Sequence, residues 1–195
     1  MKGYLIQAML YPDIIKDLIE KKDKIITLGK EDHILGHQPP PFDNTPLTFC
    51  SYYCEGYKQS AYPRGVIIEI DEPIAYACPA DSFEILRGGN WVPGHEKFIF
   101  KSIEEMLEKY PTSIDFKKYF KKYFAQLNYK EVYPNNEPRF AETLFETDYT
   151  KKFFSNWQSL EACNEITFRK PIEAKLVDAF VSEEELHEKM KDLGI

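Results

Sequence analysis

Two carboxylates stand at the start of short apolar runs, where a side chain can be aimed into a cleft. One is Glu165, in NEITFRKPIEAKLVDAFV (164–181); the other is Glu96, in PGHEKFIF. A carboxylate in such a place can hold a proton or stabilise a developing positive charge. It can equally be a solvated residue at a strand edge. His95 precedes Glu96, and a His beside a carboxylate suits acid–base work. Neighbours along a strand face opposite ways, however, so one of the two at most faces a given cleft. Position favours Glu165, which precedes the terminal pair of expected strands. A different chemistry is suggested by His33, His37, Cys50 and Cys54, two imidazoles and two thiols each four apart, a set that could bind zinc tetrahedrally. The loop between them is proline-rich, and ordinary loop histidines and half-buried thiols explain the same pattern. The sequence has no phosphate-cradling P-loop, no GxGxxG after a strand and no GxSxG elbow.

The elements that must position these residues follow from periodicity and punctuation. Strands are expected at residues 4–9, at 25–28, from 47, at 65–70, at 98–100, at about 165–169 and at 176–181. The near-continuous β-branched run GVIIEI reads as a strand buried on both faces. A helix is expected after Pro12-Asp13, and LTFCSYYCEGY is expected to turn from strand into a short helix. Pro39, Pro40 and Pro41 sit in an extended loop over 29–46. Ser102 with Glu105, and Ser182 with Glu185, have the spacing of capping boxes, so each opens a helix. Between them, SIDFKKYFKKYFAQL places Phe116, Tyr119, Phe120, Tyr123, Phe124 and Leu127 on one face and lysines on the other. That face reads as core; a membrane-surface or partner helix has the same pattern. Residues 151–162 are also expected to be helical. Segregated helices with many short strands imply an α+β fold with a mixed or antiparallel sheet.

Length and composition bound the rest. The 195 residues suit one domain, 1–195, with a helical insertion at about 101–160. A net charge of −7 argues against general nucleic-acid binding. Aromatics at 15% imply large ring surfaces in the core or around a ligand. No apolar run is long enough to span a membrane, and no signal peptide is visible. The four cysteines, Cys50, Cys54, Cys78 and Cys163, then read as reduced thiols. A cytoplasmic location, or export by a route that needs no signal peptide, is expected.

Three segments in order resemble the ADP-ribosyltransferase superfamily. YLIQAMLYPDIIKDLIEKK resembles its opening strand and helix. PLTFCSYYCEGYKQSAYPRGVIIEID is similar to its central pattern, a strand with a small hydroxyl residue followed by a hydrophobic strand. NEITFRKPIEAKLVDAFV looks like the late strand that begins with the catalytic Glu. The resemblance implies an ADP-ribosyltransferase-like fold and an enzyme, in the glycosyltransferase class, that uses NAD to modify a macromolecule, most simply a protein, as a toxin or effector. It implies that Glu165, or its rival Glu96, stabilises positive charge on the ribose. Ser51 or Thr48 would support it through a hydroxyl, Tyr52, Tyr53 or Tyr57 would stack on nicotinamide, and the backbone near Gln7 would hold the dinucleotide. The sequence departs from the family in two places. Gln7 stands where the family has Arg or His, and Cys163 stands where many relatives have Glu or Gln. Those departures keep open a non-catalytic binding module on the same scaffold, and the cysteine–histidine set keeps open a zinc-stabilised interaction domain.

Overall fold

A computed structural model describes residues 4–8, 18–28, 47–57, 64–80, 95–124, 163–169 and 171–195. Seven strands are present among them: β1 Leu5–Ala8, β2 Ile25–Leu28, β3 Leu47–Tyr52, β4 Gly65–Glu69, β5 Tyr76–Cys78, β6 Glu165–Arg169 and β7 Ile172–Phe180. They form one sheet in the order β2-β7-β4-β1-β3-β6-β5. Every pairing is antiparallel. The helices among the described residues are α1 Ile103–Lys109, α2 Ser113–Phe124 and α3 Glu183–Asp192. The fold is therefore α+β, as composition and pattern imply.

β4 is the hub. Val66, Ile67 and Ile68 have no exposed surface, because both faces of the sheet are covered. Val66 and Ile68 pack on one face with Leu5, Tyr52, Ile166, Phe168, Leu176 and Met106 of α1. Ile67 packs on the other with Ile6, Val177, Phe180, Leu186 and Met190. Leu186 and Met190 are four apart on α3, so they meet the sheet as one stripe. Burying two such side chains stabilises by about 1.5–3 kcal/mol each.

The helix starts match their sequence signals. Ser102 Oγ accepts from the Glu105 amide at 3.1 Å, and Glu105 in turn accepts from the Lys101 amide at 3.1 Å. Ser182 and Glu185 repeat the device at 3.1 Å, with the Val181 amide donating to Glu185 at 2.8 Å. Each glutamate reaches one residue before the cap. Pro111 separates α1 from α2, and Thr112 caps α2 by accepting from the Asp115 amide at 3.1 Å.

Several expectations are corrected. Among the described residues that follow β3, up to Tyr57, there is no helix; the chain turns at Gly56, with φ +86. The stretch around His95 and Glu96 is a 3₁₀ turn, His95–Phe98, with one isolated bridge, Ala77 to Phe100, in place of a strand at 98–100. Tertiary packing explains it, since Phe98 is buried against the rings of Phe116 and Phe120. β7 starts earlier than expected, because Ile172, Ala174 and Leu176 are buried while Glu173 and Lys175 are exposed, a strand's period of two. Lys117 is buried instead of solvated. It falls in the stripe Ser113–Phe116–Lys117–Phe120, at helical spacing. The expected helix after Pro12 is described only at its end, from Leu18, and residues 125–162, with the expected helix at 151–162, lie outside the described residues.

A β-bulge in the β4–β7 pairing, between Ile67 and Ile68, accompanies a charged latch at Asp178. Lys22 Nζ lies 2.6 Å from one carboxylate oxygen and Lys189 Nζ 2.9 Å from the other. Lys189 also reaches Glu185 at 2.8 Å. Burial opposes the charged form of Asp178, but the bonds from Lys22, Lys189 and the Ala179 amide outweigh it and lower its pKa.

Two stability outcomes follow. A Cβ at Gly56 would lie 2.7 Å from Thr112 Cγ2, on a backbone conformation that L side chains avoid. Gly56→Ala is expected to cost about 1–3 kcal/mol, read as a lower urea midpoint. Asp178 has a depressed folded pKa, so its stabilisation is present above the unfolded value of about 3.9 and is lost as pH falls through the folded one. Asp178→Asn should cost about 1–2 kcal/mol at pH 7. Denaturation repeated at pH 3 should show that gap shrinking; a gap that is constant with pH would contradict the latch.

Candidate functional site

The β3–β6 ladder pairs Leu47 with Arg169, Thr48 with Phe168, Phe49 with Thr167 and Cys50 with Ile166. One step further sets Ser51 opposite Glu165, and the next sets Tyr52 opposite Asn164. Asn164 makes that last step with its side chain. Its Oδ1 accepts from the Tyr52 amide at 2.7 Å, and its Nδ2 donates to the Tyr52 carbonyl at 3.0 Å. The side-chain amide thus replaces a backbone peptide at the end of the ladder. It is buried, so both bonds are formed away from water, where an unmade bond is costly.

Alternation then sorts the site residues by face. Ile6, Ser51, Glu165 and Cys78 form one row across four strands, since Ile6 pairs with Ser51 and Cys78 with Glu165. Phe49, Thr167 and Tyr76 form the next row on the same face. Glu165 is half-buried, and the hydroxyls of Tyr76 and Thr167 lie 3.3 and 3.4 Å from its Oε1. Ser51 is buried beside it. This row holds a carboxylate and a small hydroxyl side by side, a pair able to oppose a positive charge and to bond a neighbouring polar group.

The other expected residues lie elsewhere. Thr48 and Tyr52 belong to the opposite face, Tyr52 within the apolar cluster around Leu5. Thr48 Oγ1 is buried with no hydrogen-bond partner among the described residues. Tyr57 is buried and donates from its hydroxyl to the Tyr110 carbonyl at 2.6 Å. Burial first, then nearby Cys54, pushes its pKa up, so it is a neutral strut. Gln7 pairs with Val66, one step from Ile6 and in the alternate row. Glu96 falls in the 3₁₀ turn, and its side chain, like that of Gln7, lies outside the described residues.

Burial disfavours the thiolate at two of the cysteines. Burial, then the charge of Glu165, raises the Cys50 pKa. Burial pushes Cys54 up to about 11, against a bond from Asn164. No disulfide joins the four cysteines. His33 and His37 lie outside the described residues, among which no group of three or more metal-ligating side chains occurs. Among the described residues no helix is long and apolar enough to cross a membrane.

Asn164, Tyr76 and Thr167 escaped the sequence reading. Thr167 alone carried a signal, being two residues after Glu165 in a strand and hence on its face. Comparison of the chain with protein-family models, with curated proteins and with solved structures finds no match in any of the three.

Asn164→Ala strands the Tyr52 amide and carbonyl without partners. A loss of about 2–4 kcal/mol is expected, with hydrogen exchange at the Tyr52 amide accelerated. An unchanged exchange rate would show that the amide clamp carries no weight.

Proposed function

We propose that this chain is an ADP-ribosyltransferase-like enzyme that uses NAD to modify a macromolecular acceptor, most simply a protein, as a toxin or effector would. One observation carries the reading. The three segments that resemble the family supply five adjacent strands, β7-β4-β1-β3-β6, so stretches far apart in sequence are contiguous in the sheet. That contiguity sets Glu165 beside Ser51, the carboxylate and small hydroxyl that the resemblance implies.

The chemistry of these residues is simple. Breaking the bond between nicotinamide and ribose leaves positive charge on the ribose carbon. Glu165 supplies the opposing charge, in a half-buried place where water screens it less. Neutral hydroxyls of Tyr76 and Thr167 orient it without an opposite charge of their own. Ser51 offers a hydroxyl to a sugar or to Glu165. NAD is a substrate here, and its ADP-ribose part is transferred.

Labelled NAD incubated with the protein and candidate acceptor proteins tests the reading. Glu165→Gln should lower NAD consumption by about 10²–10³-fold with little change in thermal midpoint. Glu96→Gln should lose much less. The reading fails if the wild-type protein neither binds nor consumes NAD, or if Glu165→Gln consumes it at the wild-type rate.

A further inference from the structure

Two hydroxyls meet Glu165 at a single carboxylate oxygen. Tyr76 and Thr167 are cross-strand partners in the β5–β6 ladder, and Glu165 stands two residues before Thr167, opposite Cys78. The Tyr76 side chain therefore reaches diagonally, from β5 to the start of β6, and its Oη donates to Glu165 Oε1 at 3.3 Å. Thr167 Oγ1 donates to the same oxygen at 3.4 Å. Tyr76 comes from the side of β6 opposite Ser51, because β6 stands between β3 and β5. The terminal torsion of a glutamate is broad, so its own rotamer does not fix the plane of the carboxylate. Two donors on one oxygen, one along the strand and one across it, restrict that rotation. An ionised carboxylate only accepts, so each hydroxyl spends its one proton on it.

Both donors are themselves held. Tyr76 and Thr167 are buried. Just before Tyr76, the Ala75 amide donates to the Thr167 carbonyl at 2.6 Å. Just after it, Ala77 and Phe100 exchange two backbone bonds, at 2.8 and 2.9 Å. Tyr76 is thus pinned to β6 on one side and to Phe100 on the other. The Phe100 ring meets Tyr110 edge to face at 6.0 Å and 80°, and Tyr110 meets Phe116 of α2 at 5.3 Å and 77°. β5 has only three residues, a length at which a strand needs such support. The rings of the helical block supply it.

We infer that Tyr76 and Thr167 are the positioning pair of Glu165, acting on the reaction through its carboxylate. The inference rests on the NAD reading above. In that reaction the carbon–nitrogen bond between ribose and nicotinamide breaks, and its electron pair leaves with nicotinamide. Water or an acceptor forms the new bond to the ribose carbon and gives its proton to solvent. Positive charge grows on that carbon as the bond breaks, and a carboxylate opposes it well only when aimed at it. A carboxylate already held in that orientation needs no rearrangement in the transition state. Tyr76 and Thr167 supply the hold with neutral groups, so the negative charge of Glu165 stays in place.

The test uses the full chain with NAD alone, water as the nucleophile and released nicotinamide as the readout. Tyr76→Phe removes one hydroxyl and keeps the buried ring. Thr167→Val removes the other at matched size, and Thr167→Ser restores it. Tyr76→Phe and Thr167→Val should each lower kcat by about 10–100-fold, with KM for NAD within about twofold. Thr167→Ser should recover most of the loss. In a Glu165→Gln background either hydroxyl deletion should cost less than about twofold, because no charged carboxylate remains to be aimed. Thermal midpoints identify a variant that does not fold, and the Thr167 series then decides alone. Equal losses in both backgrounds, a rise in KM with kcat kept, or Thr167→Ser as slow as Thr167→Val would mark the hydroxyls as packing groups. Any of these, or wild-type rates in both deletions, would overturn the pair while leaving Glu165's role standing. No release by the wild-type protein, or full release by Glu165→Gln, would overturn both.

Discussion

A side-chain amide closes the β3–β6 ladder, and the arrangement of the site depends on it. Backbone pairing between β3 and β6 ends at Cys50 and Ile166. Without a partner beyond that point, the end of β3 would be a pair of buried, unsatisfied peptide groups. Asn164 has the donor and acceptor that a peptide would present, at 3.0 and 2.7 Å from Tyr52. Fixing Tyr52 on one face fixes its neighbours Ser51 and Tyr53 on the other, because successive strand residues alternate. Fixing Asn164 does the same for Glu165. One buried residue thereby sets which side of the sheet receives the carboxylate and the Ser51 hydroxyl beside it. A slip of one residue would exchange them with Cys50, Ile166 and Tyr52, and so place a carboxylate in the apolar cluster.

That apolar cluster explains why the register is not free to slip. Val66 and Ile68 need partners on one face and Ile67 on the other, and both sets are complete. The strands that flank β4 inherit its parity. At the β7 side the bulge beside Ile67 would relax this constraint, and there the charged latch of Asp178, Lys22 and Lys189 joins the strand to α3. Because His187 lies two residues before Lys189, the latch also bears on the helix that carries the ring bonded to Tyr53.

What was legible in the sequence is what is decided locally. The β-branched run of β4 and the serine caps of α1 and α3 each depend on residues within one or two turns. The 3₁₀ turn at His95–Phe98 was not legible, because Phe98 is drawn into rings of α2 that follow it by many residues. Lys117 was misplaced for a similar reason: its spacing fits the buried stripe as well as the solvated face. Glu165 could be picked out as a carboxylate at a strand start. Its neighbours could not, since Ser51 lies in a strand far earlier in the chain.

Two carboxylates of one sheet are set in contrasting surroundings. Asp178 is held by two ammonium groups and a backbone amide, and its pKa falls accordingly. A charge so well matched in the ground state gains little by meeting another cation. Glu165 is met by two neutral hydroxyls at long hydrogen-bond distances. Those contacts orient the carboxylate while doing little to neutralise it. The contacts shown therefore differ in kind: ammonium groups fasten Asp178, and hydroxyls orient Glu165.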